Sequence, residues 1–485
     1  MTQEQQPSNK LGLTALAAVV ISSMIGGGIY SLPQNMAAGA SVGAVMIAWL
    51  ITGVGMYFLA NSFRILSTLR PDLTAGIYMY SREGFGTFAG FTIGWGYWLC
   101  QIFGNVGYAV ITMDALNYFY PPYFEGGNNL YSIIGGSILI WGFNYIVLKG
   151  VHQASFINII GTIFKIIPLA LFILIMFFMF KINRFDGDFW GNMASHAKGG
   201  LGSLSTQIKS TMLVTLWSFI GIEGAVVLSN RAKNPADVGK ATFIGFLGCL
   251  AIYVLLSVLP YGFMSQAELA AVPNPSTAGI LQKAVGVWGS YLMNIGLLIA
   301  VLASWLAWTM ITAEIPFAAA KNGTFPKEFA IRNKNGSPSV SLYVTSVLMQ
   351  AAILLVYFSN NAWNTMLSIT GVMVLPAYFS SMAYLWKYCE DGEYPAKPPI
   401  ARSESLVSAI LGGIYALWLI YAAGLDYLLM AVIFMTCGIP VFIWARKQQN
   451  PTGKAFSSHE LFCAGLMVLL SVIALVLFVR GVLTV

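Results

Sequence analysis

The sequence predicts an all-α polytopic membrane protein with about 12–13 transmembrane helices, built as a 5+5 inverted repeat in which helices 1 and 6 are broken. Three observations predict this. First, 57% of the 485 residues are hydrophobic and only 9% are charged, with a mean hydropathy of +0.73; a soluble domain carries about 25% charge. Second, apolar windows of about 20 residues, the length that crosses a bilayer, recur from end to end. Third, the first window is interrupted at Ser22-Ser23-Met24-Ile25-Gly26-Gly27-Gly28-Ile29-Tyr30. Each glycine in a helix interior costs roughly 1 kcal/mol against alanine. At bilayer depth, backbone leaves the helix only where protein or a wet cavity satisfies its N–H and C=O groups.

In chain order, spans are expected near residues 12–35, 41–63, 88–119, 131–148, 156–180, 210–229, 241–264, 286–320, 341–358, 361–386, 406–423, 426–445 and 460–481. The polar start from Met1 to Lys10 runs into the first span without an A-x-A-like site, so no cleavable signal is expected. Basic residues set the orientation. With a cytoplasmic N-terminus, most of the 25 fall inside: Lys10, Arg64, Arg70, Arg82, Lys149, Arg231, Lys233, Lys240, Lys321, Lys327, Arg332, Lys334, Lys387, Lys397, Arg402, Arg446, Lys447 and Lys454. Outside lie Lys181, Arg184, Lys198, Lys209, Lys283 and Arg480. The C-terminus then faces outward, unless spans eleven and twelve merge across the short turn at 424–425. Topology also accounts for the net charge of +7, which is no sign of nucleic-acid binding. The five cysteines, Cys100, Cys249, Cys389, Cys437 and Cys463, have neither C-x-x-C nor metal-ligand spacing.

The sixth span repeats the design of the first. Thr215-Leu216-Trp217-Ser218-Phe219-Ile220-Gly221-Ile222-Glu223-Gly224 is apolar, carries two glycines and precedes a basic loop. Spans one and six open two repeats of five, giving residues 1–180 and 181–388 as the repeats and 389–485 as accessory spans. Broken helices at corresponding positions mark the binding site of a transporter. Half-helix ends present free N–H groups at one break and free C=O groups at the other, which suits a carboxylate and an ammonium. Gly26, Gly27 and Gly28 allow close backbone approach; the competing explanation is close helix packing through small residues.

Other side chains could line such a site. Trp217 sits at the second break, Trp305 and Trp308 lie midway along span eight, and Tyr97, Asn105 and Tyr108 lie on span three. A Trp face attracts a cation with about 2 kcal/mol when desolvated; lipid-facing or core packing is the alternative for each. Lys165, Asp114, Glu223 and Glu314 are ionisable residues at membrane depth, which are costly and mark functional positions. Glu223 follows a break and serves either in gating or proton response or in holding the broken helix. Lys165, in span five, places an ammonium where a sodium-coupled relative would bind Na⁺. Asp114 and Glu314 lie near span ends and are expected to be structural. Neither a cofactor nor a metal site is expected, and no constellation of an enzyme appears.

The stretches Ser23–Met36, Trp49-Leu50-Ile51-Thr52-Gly53-Val54-Gly55-Met56 and Gly239-Lys240-Ala241-Thr242 resemble the amino acid–polyamine–organocation superfamily. Within it, they are similar to the basic amino acid/polyamine antiporters, and most of all to the bacterial arginine/ornithine branch. The resemblance covers most of spans one to ten. It implies that Gly27 and Gly28 carry the substrate carboxylate and that carbonyls of Met24, Trp217 and Ile220 meet the ammonium. It implies further that Trp217 closes the site, Trp308 stacks on the distal cation, and Tyr97 and Glu223 gate. Trp308 is assigned by its distance from the Lys321-Asn322-Gly323 turn. Lys165 matches the span-five lysine that stands in for Na⁺ in other branches.

There are departures from the arginine/agmatine exchangers: Gly27 replaces a serine, Gln101 a small residue and Tyr108 a methionine, while Ser368 and Thr370 only approximate the span-ten contacts. These argue against decarboxylated substrates such as agmatine. The resulting expectation is inner-membrane exchange of cationic amino acids, arginine for ornithine, by alternating access. The partners are small cationic amino acids and the lipid bilayer; a homodimer is allowed and nucleic acid is not expected. A proton-coupled permease for lysine or neutral amino acids is the rival. A sensor or scaffold lacks an appended domain, and a channel lacks a charged or carbonyl-ring filter.

Overall fold

A computed structural model describes residues 12–73, 77–150, 152–195, 200–222 and 235–482. Among these residues the chain is helix, turn and loop, with no strand. The first span is broken as expected. Helix α1 (Leu13–Met24) ends at Gly26, whose extended backbone (φ −96°, ψ −173°) cannot continue it. A 3₁₀ turn, Gly27–Ser31, leads into the short helix α2 (Leu32–Ala37), with Pro33 in its first turn where no N–H is needed. Helix α3 (Val42–Leu69), apolar over most of its length, follows. A surface helix, α4 (Tyr78–Phe85), joins it to the long α5 (Thr87–Asn117), then α6 (Leu130–Lys149) and α7 (His152–Met179).

The second break ends α8 (Leu204–Ser218). Gly221 adopts φ +105°, a left-handed conformation that side chains resist. The rest of span six, with Glu223, lies outside the described residues. Helices α9 (Pro235–Val258), α10 (Ser276–Val285), α11 (Val287–Lys321), α12 (Ser339–Val356) and α13 (Ala362–Glu390) follow. The chain ends with α14 (Arg402–Ala423), α15 (Leu425–Thr436), α16 (Ile439–Gln449) and α17 (Ser458–Val479). Gly424 at φ +82° separates α14 from α15, so spans eleven and twelve do not merge. Span twelve is itself interrupted near Cys437 and Gly438. Among the described residues, 10 helices are long and apolar enough to cross a membrane. The remaining expected spans are the two broken ones and α7, whose qualifying stretch is Phe164–Met179.

Packing is tightest around α5, α11 and α13, whose apolar and small faces enclose the broken segments. By contrast, α17 turns Phe462, Leu469 and Val479 outward. Charge collects at the two ends of the bundle. At one end Arg64 pairs with Glu404, Arg70 with Asp72 and Glu83, and Arg402 with Glu390. At this end, too, Arg82 donates to Asn322 and Thr324, joining α4 to the end of α11. At the other end Glu268 meets Lys283 at 2.7 Å and Arg184 at 3.7 Å. Glu268 also closes a capping box with Ser265. Its Lys283 partner, with help from Ser265, holds the carboxyl down at about 2. Gln34 of α2 bonds Ser276 and the Ala270 carbonyl, so the second half of the first broken helix is fastened to this segment.

Candidate functional site

The two breaks meet. Ser23 Oγ, at the end of α1, donates to the Gly221 carbonyl at 2.9 Å. A Cβ on Gly221 would stand 2.8 Å from the Ser23 carbonyl oxygen, so glycine is required there by approach as well as by φ. Beside this junction is a cavity floored by Ser23, Met24 and Gly26 from the first break and Trp217 and Ile220 from the second. Its wall is α5, through Gln101, Gly104, Asn105 and Tyr108, with Trp308 of α11 and Thr370 of α13 completing it. Positions 101, 104, 105 and 108 form one stripe because residues three and four apart share a helix face. Tyr97, buried, continues that stripe one turn away without lining the cavity.

Most expected site residues are therefore brought together: Met24, Gly26, Asn105, Tyr108, Trp217, Ile220 and Trp308. Gly27 and Gly28 are not. A Cβ on Gly27 would run into Val301 of α11, and one on Gly28 into the rings of Trp217 and Trp363. Their lack of a side chain serves helix and ring packing, the alternative weighed from sequence. Only Gly26 opens to the cavity, where a Cβ would stand 2.8 Å from the Tyr108 hydroxyl. Trp305 is fully buried and packs edge-on against Phe143, away from the cavity.

The polar groups divide into committed and free. Asn105 Nδ2 donates to the Gln101 carbonyl at 2.7 Å and to Thr312 Oγ1 at 3.0 Å. Thr312 in turn bonds the Trp308 carbonyl. Both amide hydrogens of Asn105 are thus spent, one within α5 and one on fixing α5 to the turn of α11 that carries Trp308. The Gln101 amide nitrogen and the Thr370 hydroxyl, by contrast, are buried without a hydrogen-bond partner, and both residues line the cavity. A buried polar group left so costs about 1–3 kcal/mol, which a polar ligand would recover. Ser23 and Gly104 line the cavity without a role assigned from sequence, whereas Gln101 and Thr370 entered there only as departures from the arginine/agmatine exchangers. The i, i+4 spacing of Gln101 from Asn105 is the signal that places it on the face. No charged side chain lines the cavity among the described residues. A cation would meet Trp faces and oxygen acceptors instead.

The cavity holds about 30 Å³, against roughly 300 Å³ or more for an organic ligand. Ring and amide side chains must move apart before an amino acid enters; Trp217, edge-on to Trp363 at 5.4 Å, is placed to swing.

Lys165 is 1% exposed and lies behind the first break. Its carbonyl accepts from Tyr30 Oη at 3.1 Å, and Cys249 of α9 is within electrostatic reach. It does not line the cavity. Asp114 accepts from the Gly126 N–H and so fixes the loop after α5, the structural role expected of it. Glu314 is half-buried two turns before the end of α11. No cluster of metal-binding side chains occurs among the described residues.

Residues 11–440 match the family model described as amino acid permease. The chain is 63% identical over 481 residues to an arginine/agmatine antiporter of Chlamydia pneumoniae, covering 99% of each chain. It is 64% identical over 468 residues to one of Chlamydia abortus, covering 96% of each. A third, from Chlamydia trachomatis serovar L2, is 58% identical over 478 residues, 99% of this chain and 98% of that one. The names of these relatives carry agmatine, against which the departures at positions 27, 101 and 108 had argued; none carries ornithine.

Proposed function

The chain belongs to the amino acid permease family, and from that premise we propose that it is a multi-pass antiporter exchanging arginine for agmatine across a bacterial plasma membrane. The observation that carries the reading is the cavity at the junction of the two breaks, with aromatic faces, unspent polar groups and no fixed charge among its described lining. Trp308 and Trp217 offer faces to a planar cation. The Thr370 hydroxyl and the Gln101 amide oxygen accept from guanidinium N–H groups, while the unspent Gln101 nitrogen, a donor, suits an acceptor such as the arginine carboxylate.

Arginine and agmatine share the guanidinium, so a site concentrated on that end accepts both. The loss of a hydroxyl at Gly27 does not count against agmatine, because that glycine faces Val301 and not the cavity. When arginine is bound, its carboxylate lies against backbone N–H groups of the first break and its ammonium against carbonyls of the second. Tyr97 and Trp217 gate the two sides, Glu223 responds to protons or holds the break, and Lys165 stands in for a bound Na⁺. The two five-span repeats rock against each other to alternate access. The N-terminus and the charge-rich end that holds Arg64, Arg70 and Arg82 face the cytoplasm.

The counter-substrate decides whether exchange moves charge. At neutral pH arginine and ornithine each carry one net positive charge and agmatine carries two. Arginine uptake into proteoliposomes preloaded with agmatine should therefore respond to a potassium-diffusion potential. Uptake driven by ornithine and insensitive to potential would replace agmatine with ornithine. Equal uptake into empty vesicles that rises with an inward proton gradient would replace exchange with a proton-coupled permease.

A further inference from the structure

The lipid-facing surface carries a groove that the exchange reaction does not use. It runs between α3 and α9, has a volume of about 610 Å³, and has no charged side chain among its described lining residues. Leu50, Gly53 and Val54 form one wall and Leu247, Leu250 and Val254 the other. Through Tyr57, Phe243 and Phe246 it continues into a second recess of about 580 Å³ that reaches Arg64, Lys240 and Glu404. We propose that this continuous groove binds one anionic phospholipid, its acyl chain between α3 and α9 and its phosphate on Arg64 and Lys240.

Length, shape and charge support this occupant. Leu50 and Arg64 are 14 residues apart on α3, roughly 21 Å of helix. That is about the distance from the bilayer midplane to the headgroup layer. The basic end is preformed, because a Cβ on Gly239 would stand 2.5 Å from Arg64 Cδ; glycine lets the arginine stem lie flat across α9. Arg64 spends Nε on Asn61 at 2.8 Å and one Nη2 hydrogen on Glu404 at 2.5 Å. Three of its five N–H donors remain for a phosphate. Glu404 cancels the charge of Arg64, so Lys240, exposed at the mouth, leaves one net positive charge for one phosphodiester. A zwitterionic headgroup would bring its ammonium beside Lys240. Basic pockets between membrane helices recognise lipid headgroups in this way.

The groove also reaches the site. Trp49 and Phe246, in its wall, pack on Phe219 with ring centroids 6.3 Å and 5.4 Å away. Phe219 is the residue at which α8 ends and the second break begins. A chain in the groove thus supports the layer directly behind the break. The lipid site itself does not depend on which substrates are exchanged.

The test is native mass spectrometry of the purified full-length protein with equimolar phosphatidylglycerol and phosphatidylethanolamine. The expected result is preferential retention of phosphatidylglycerol, reduced about fivefold by Lys240→Gln. Leu50→Trp, whose ring fills the slot, should reduce it with the headgroup residues intact. Lys240 is exposed and Leu50 is 68% exposed, so neither change removes a core contact; unchanged melting temperatures verify this. Equal retention of the two lipids would overturn the proposal, as would retention unaffected by either variant. Displacement of the lipid by inorganic phosphate alone would reduce the site to an anion contact and overturn it too.

Discussion

Replacing Gly221 with alanine is expected to weaken arginine binding while leaving the helices formed. Gly221 holds φ +105° and its carbonyl accepts the Ser23 hydroxyl at 2.9 Å, with no room for a Cβ against the Ser23 carbonyl. A left-handed conformation costs a side chain roughly 1–2 kcal/mol. The hydrogen bond that the displaced carbonyl gives up adds about 1 kcal/mol. A penalty of about 2–3 kcal/mol on the joined-break geometry lowers the population of the binding-competent state by about 30- to 150-fold, and apparent affinity with it. Ser23→Ala removes a hydroxyl whose oxygen lies 2.9 Å from both the Val20 and the Gly221 carbonyls with a single hydrogen to give, and should weaken affinity by at most about fivefold. The assay is isothermal titration of the purified protein with arginine, with circular dichroism reporting helix content. Wild-type affinity in Gly221→Ala would refute the view that the two breaks must be joined for binding.

Other outcomes follow from the same geometry. Trp308→Ala should weaken arginine binding about 30-fold and Trp308→Phe less; unchanged titrations would remove the stacking role. Gln101→Leu should raise the melting temperature of the ligand-free protein by removing an unsatisfied buried amide, yet lower arginine affinity, and a parallel change in both would count against it. Lys165→Met should slow exchange in proteoliposomes or introduce dependence on Na⁺; turnover and ion response at wild-type levels would make Lys165 structural. Glu268 sits at about 2, below its ordinary 4.5. Its contribution to the 265–285 segment is present above pH 4.5 and is lost as pH falls toward 2. At 42% side-chain exposure that contribution is small. Hydrogen exchange across residues 265–285, corrected for intrinsic rates, should rise over that window in wild type and not in Glu268→Gln.

The sequence alone determined the membrane architecture and marked the place of the candidate site. Hydropathy windows marked the long helices, because bilayer thickness sets their length. The glycines at 26–28 and at 221 and 224 marked the breaks, because glycine weakens a helix at a depth where the backbone must otherwise stay hydrogen-bonded. Trp217, Trp308, Asn105 and Tyr108 were candidates from their positions on these spans, and the family resemblance, not position, separated Trp308 from Trp305 and gave Asn105 its place.

Which atoms face the cavity was decided by the tertiary structure. Gly26, Gly27 and Gly28 are identical in sequence, yet one opens to the cavity, one receives Val301 and one receives two tryptophan rings. That difference depends on what α5, α8, α11 and α13 bring up to the turn. Asn105 reads as a substrate contact until the Gln101 carbonyl and Thr312 take its hydrogens, leaving Gln101 and Thr370 as the unspent groups. A residue's type fixes how many hydrogen bonds it can make. Only the packed neighbours, distant in the chain, fix how many are left for a ligand.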